Sequence, residues 1–80
     1  MWFVYILRLS DDSLYTGITK YIDERLEKHR AGRGSKYVRS RLPCELVYFE
    51  KAEGKSEALQ REAEIKGWSK RKKEKFLESK

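Results

Sequence analysis

A chain of 80 residues makes one small domain, in which folding removes only about 60 to 65 % of the unfolded surface from water. Hydrophobic residues make up 39 % of it against 40 % charged and a net charge of +6, which permits a compact core and excludes a wholly disordered chain. A single cysteine, Cys44, excludes an internal disulfide and a cysteine-based zinc site; no apolar run nears the roughly 18 residues of a membrane span, so a cytoplasmic protein is expected.

Trp2 to Leu9 is almost continuously apolar, the pattern of a strand covered on both faces. Ser10-Asp11-Asp12-Ser13 is turn chemistry, and Leu14 to Ile18 reads as a second strand, which predicts a hairpin. Gly17 weakens that strand unless another group must approach its backbone closely; a bulge is the simpler alternative. Thr19 is expected to cap a helix over 20–31 that stops at Gly32. A loop with at most a short turn follows over 32–43, and residues 30–43 carry five basic and no acidic groups. Cys44 to Glu50 reads as a third strand, with Leu46 and Tyr48 facing one way and Val47 and Phe49 the other.

Ser56 is expected to cap a helix reaching about Lys66, with Glu57 in its first turn, where the helix dipole favours negative charge. Gly67 separates it from a short basic helix within 68–80, whose Trp68, Phe76 and Leu77 can pack back onto the domain. Residues 66–80 carry seven basic against two acidic groups. The order strand, strand, helix, strand, helix, helix predicts a single α+β domain over 1–80, a small sheet flanked by helices. Positive charge concentrated in two segments points to a polyanionic partner, nucleic acid ahead of an anionic membrane surface. Neither segment has the apolar face of a membrane-binding helix.

Five residues carry candidate chemistry. At about 100° per residue, Glu62 falls inside the arc defined by Leu59, Ala63, Ala58 and Ile65, whereas Glu57 and Glu64 point to solvent. An inward carboxylate needs a cation or donors; Lys66 one turn later is the ordinary partner, and a magnesium ion completed by water and phosphate oxygens is the alternative. Arg25 and His29 run along the edge of the stripe formed by Ile22 and Leu26, either as packing residues or as a charge and a proton carrier. Tyr5 and Tyr15 are core or cross-strand residues by default. They share a sheet face only if the hairpin loop has an odd number of residues or a bulge shifts the register. In the basic loop Tyr37 interrupts Arg33, Lys36, Arg39 and Arg41, an arrangement that suits phosphates and an exposed base as well as a solvated loop. Lys66, Lys70, Arg71, Lys72 and Lys73 are the corresponding cations of the last segment.

These residues resemble the GIY-YIG nuclease superfamily, and within it the small stand-alone UPF0213 group with a URI-type endonuclease domain. The first half-motif is Val4-Tyr5-Ile6-Leu7 and the second is Tyr15-Thr16-Gly17-Ile18. The segment 24–29 matches the family's arginine and following histidine at Arg25 and His29, and 57–66 matches the helix whose glutamate falls at Glu62. The resemblance covers residues 2 to about 77, and the ordered set is specific where no single half-motif is. Val4 stands where the name-giving glycine is expected and Thr16 in the second half-motif; the asparagine that many relatives carry after the glutamate helix has no counterpart, because the chain contains none.

The resemblance implies a three-stranded antiparallel sheet and hydrolysis of DNA with one divalent ion, magnesium or manganese, held by Glu62. Tyr5 would be the general base or its relay, Tyr15 would orient the scissile phosphate, and Arg25 would stabilise the charged transition state. His29 would assist proton transfer or position Tyr5. The expected activity is that of a structure-specific or weakly specific DNA endonuclease in repair or recombination, with a protein partner or homodimer supplying further specificity. The rival is a non-catalytic nucleic-acid-binding module that keeps the fold, and an adaptor for an acidic protein is a third reading.

Overall fold

A computed structural model describes all 80 residues. Three strands, β1 (Trp2–Arg8), β2 (Leu14–Thr19) and β3 (Glu45–Ala52), form an antiparallel sheet in the order β2-β1-β3. Four helices complete the chain: α1 (Ile22–Arg30), the single turn α2 (Lys36–Arg39), α3 (Lys55–Lys66) and α4 (Lys70–Glu78). The α+β architecture and the order of its main elements are those expected, with α2 as the short turn inside the basic loop.

Central β1 is covered on both faces, which is why its sequence is apolar without alternation. One face carries Tyr5 and Leu7, packed with Leu9, Val38 and Cys44 under Ile22 and Leu26 of α1. The other carries Val4 and Ile6 against Ala58 and Ile65 of α3, with Trp68 and Leu77 closing that layer from the α4 side. The phenyl ring of Phe76 meets Tyr48 edge to face at 4.9 Å, and Arg8 makes a bidentate pair with Glu74 at 2.8 and 2.7 Å. All three apolar anchors of the last helix thus pack back, as its sequence predicted.

Four local expectations are corrected. Thr19 does not cap α1: it remains in the β ladder opposite Phe3, and the helix starts later, after Tyr21, with no side-chain cap. Ser56 does not cap α3 either, because β3 runs on to Ala52 and leaves only a short link, so Gly54 becomes the N-cap and Ser56 lies inside the first turn. Leu46 and Tyr48 face opposite sides, since the β1–β3 register shifts between Ile6 and Leu7 and inserts Val47 as an extra residue. Leu59 is 45 % exposed and Ala63 is exposed too; the inward stripe of α3 is buried Ala58 and Ile65 with partly buried Glu62 between them, spaced at four and then three residues.

Candidate active site

Residues 9–13 form the hairpin turn, an odd number, and the register places Tyr5 opposite Gly17 and Leu7 opposite Tyr15. Both tyrosines therefore lie on the α1 face of the sheet, satisfying the parity condition. Asp12 takes a positive φ of 68° in this turn and donates its N–H to the Leu9 carbonyl. The Tyr5 hydroxyl is 2.9 Å from His29 Nε2, and both residues are 2 % exposed. The rings of Tyr5, Tyr15 and His29 form one cluster with centroid separations of 6.5, 5.9 and 5.5 Å.

Two glycines make room for this cluster. A Cβ on residue 17 would stand 2.5 Å from the Tyr5 hydroxyl, so Gly17 is the close approach that its place in a strand foreshadowed. A Cβ on residue 34 would overlap His29 Nδ1. The Nδ1 atom is buried and has no hydrogen-bond partner, so only the bond at Nε2 orients the ring. Nothing in the spacing of Gly34 foretells this role; its signal is only a glycine between a helix end and a serine-capped turn.

Arg25 extends from α1 toward the same hydroxyl. Burial raises the Tyr5 pKa, the neighbouring Tyr15 and Glu62 raise it further, Arg25 opposes them, and the phenol ends at about 12. It is therefore protonated at neutral pH. His29 is pushed below its ordinary value by burial and by the charges of Arg25 and Lys28, which keeps it neutral and able to accept a proton.

Glu62 approaches from the other layer. Its side chain is 18 % exposed at the centre of the α3 stripe, and Lys66 lies 3.3 Å from Oε2. The ordinary helix pair is thus present, yet the same carboxylate influences Tyr5. No group of three or more histidine, cysteine or acidic side chains gathers anywhere in the chain. The residues fit a divalent ion only in its most open form, one carboxylate with water and substrate oxygens for the rest. Lys66 is 55 % exposed, and opening so solvated a pair costs at most about 1 kcal/mol.

The basic residues divide between the two layers. Around α2, Arg33, Lys36 and Arg39 are exposed on the side of the tyrosines. Tyr37 stacks with Tyr15 at 6.2 Å, and the Arg41 guanidinium lies 3.8 Å from its centroid. Arg41 Nε also donates to Asp11 and its Nη1 to the Tyr37 carbonyl and Ser40 Oγ, so its donors serve the fold. On the α4 side, Lys66 faces Glu62, Lys70 binds Asp12 at 3.2 Å, and Lys72 lies over Trp68. Arg71 is exposed and Lys73 partly so. Missing from the sequence expectations is Tyr21, a 62 % exposed ring that lines a cleft with Thr19, Glu24, Arg25 and Lys28. An aromatic at the polar start of a helix was its available signal.

A hydrogen-bonded tyrosine and histidine, a second tyrosine on the same sheet face and an arginine, with a glutamate on a helix of the opposite layer, are the residue types expected of a GIY-YIG domain, here on a three-stranded sheet. The model of the GIY-YIG catalytic domain matches residues 1–75, and the chain belongs to this nuclease family. Its relatives include UPF0213 proteins of Staphylococcus aureus strains Mu3 and Mu50, each 55 % identical over 71 residues, covering 89 % of this chain and 87 % of theirs. Two solution structures share the fold. The UPF0213 protein BH0048 of Bacillus halodurans matches with a TM-score of 0.65 and 44 % identity over 100 % of this chain and 86 % of that one. Protein EF2693 of E. faecalis matches with a TM-score of 0.64 and 35 % identity over 96 % and 82 %.

Proposed function

We propose that the protein is a metal-dependent DNA endonuclease, structure-specific or weakly sequence-specific, that hydrolyses phosphodiester bonds in repair or recombination processing. The observation that carries this reading is the Tyr5–His29 hydrogen bond, buried between two glycines and flanked by Arg25. A phenol held near pKa 12 is a poor base alone. It becomes an effective relay when its own proton moves to neutral His29 Nε2 while its oxygen takes a proton from the attacking water. The water oxygen then bonds to phosphorus and the bond to the leaving oxygen breaks. Arg25 stabilises the charge that accumulates on the phosphoryl oxygens, and Tyr15 orients the phosphate. Glu62 would hold magnesium or manganese, which supplies positive charge beside the phosphate when bound.

The test is cleavage of labelled duplex, single-stranded and branched DNA with either metal. Glu62→Gln is expected to reduce cleavage at least about a hundredfold while leaving DNA affinity within about threefold. Equal cleavage by both proteins would remove Glu62 from the site. The Glu62–Lys66 ion pair favours a second reading, a binding module in which the carboxylate only neutralises a lysine. That reading predicts DNA binding by the wild type without metal-dependent strand breaks.

A further inference from the structure

We propose that the cleft between Thr19 and the flank of α1 binds an unpaired nucleotide of DNA, with Tyr21 as the platform on which its base stacks. The inference rests on the nuclease reading only in placing that nucleotide beside the bond to be cut.

Tyr21 is 62 % exposed and belongs to neither apolar cluster, so packing does not account for its ring. Its backbone is nevertheless fixed on both sides. Thr19 Oγ1 accepts its N–H at 3.1 Å, and its carbonyl accepts the Arg25 N–H at 3.0 Å. A large aromatic ring is thus presented to solvent from a rigid attachment, the property that makes a stacking platform economical in entropy.

The cleft beside it offers about 300 Å³, the lower end of the range for small-ligand sites. Arg25 lines this cleft and also packs beside Tyr5, Leu7 and Ile22, so one side chain borders both the cleft and the tyrosine. A phosphate at Arg25 would leave its neighbouring base within the cleft. Lys28 adds a second cation for the backbone, while Glu24 accepts hydrogen bonds from a base amino group and repels a second phosphate.

Tyr37, the other exposed tyrosine near the site, is less suited to this role because Tyr15 and Arg41 already engage its ring. A base inside a duplex has both faces covered by its neighbours. Only an overhang, flap or gap can offer a free face to Tyr21. The substrate class is therefore DNA in which a single-stranded segment adjoins the cleaved bond.

The experiment compares a short blunt duplex with the same duplex bearing a 2-aminopurine-labelled single-stranded overhang. Binding is measured by anisotropy and stacking by 2-aminopurine quenching, without divalent metal so that no strand is cut. Wild type is expected to bind the overhang about tenfold more tightly than the blunt duplex and to quench the probe. Tyr21→Ala should abolish that preference and the quenching, Tyr21→Phe should keep both, and blunt-duplex affinity should be the same for all three. Equal binding of both substrates by wild type, or equal losses on both with Tyr21→Ala, overturns the proposal. Selective binding with no cleavage on adding metal leaves the stacking site standing and removes the nuclease reading; cleavage without overhang selectivity does the reverse.

Discussion

In the proposed relay the imidazole of His29 must be neutral to accept the Tyr5 proton, and burial beside Arg25 and Lys28 lowers its pKa from the ordinary 6.5. The folded chain therefore releases this proton at a lower pH than the unfolded chain. Stability associated with His29 is complete above pH 6.5 and is lost as pH falls from there through the folded pKa. Asp11, Asp12 and Glu74 behave in the same sense but in a more acidic window, their pKa values lowered from 3.8, 3.8 and 4.5 by Ser13, Lys70 and Arg8 respectively. Urea midpoints measured between pH 7.5 and 5 should thus fall for the wild type and stay nearly flat for His29→Asn, and the acid limb of the pH–rate profile should shift with that group. An unchanged slope in the variant would place the titrating group elsewhere. The residue types were legible in the sequence, because tyrosine, arginine, histidine and an inward glutamate recur in a specific order. Their convergence was legible only as a parity condition on the hairpin, and Gly34 was not legible at all, since its contact depends on how the chain folds back after α1.

Helix α4 illustrates which parts of an element can be read in advance. Trp68, Phe76 and Leu77 announced its apolar face, but its strongest polar tie joins residues 66 positions apart, Arg8 and Glu74, which no local pattern reveals. Both side chains are 30 % exposed and the pair is bidentate, so its contribution belongs near the top of the range for partly solvated pairs. Glu74→Ala is expected to lower the urea midpoint modestly and to speed amide exchange within 70–78 more than elsewhere. Uniform acceleration across the sheet would show instead that α4 and the sheet open as one unit. Helix starts were misread for a related reason. Thr19 and Ser56 are good capping types, but each was pre-empted by strand pairing, which extends β2 to Thr19 and β3 to Ala52.

Across the whole molecule, the two basic segments lie on opposite layers and meet only at the β1–β2 turn. Asp11 holds Arg41 from one side, Asp12 holds Lys70 from the other, and Arg8 links Asp12 to Glu74. Arg33, Lys36 and Arg39 remain on the side of Tyr5 and Tyr15, whereas Arg71, Lys72 and Lys73 belong to the α4 layer. Replacing the first trio with alanine should reduce the slope of log affinity against log salt by about 2 to 3 and depress cleavage; replacing the second should change the slope less. Equal losses would mean that bound DNA reaches around the end of the sheet. Segregated charge was plain from the sequence, but its division between two layers follows from the sheet topology.

The pair proposed to relay the proton is also part of what holds the domain together. Tyr5 is among the largest fully buried side chains, His29 lies beside it, and Gly17 and Gly34 leave no volume for alternatives. In the proposed mechanism chemistry and folding share the same atoms, which ties their histories together. A lineage that abandoned cleavage would still be selected to keep this tyrosine and histidine for packing. Loss of function would be recorded first at Glu62 and Arg25, the members of the site that the core could replace at least cost.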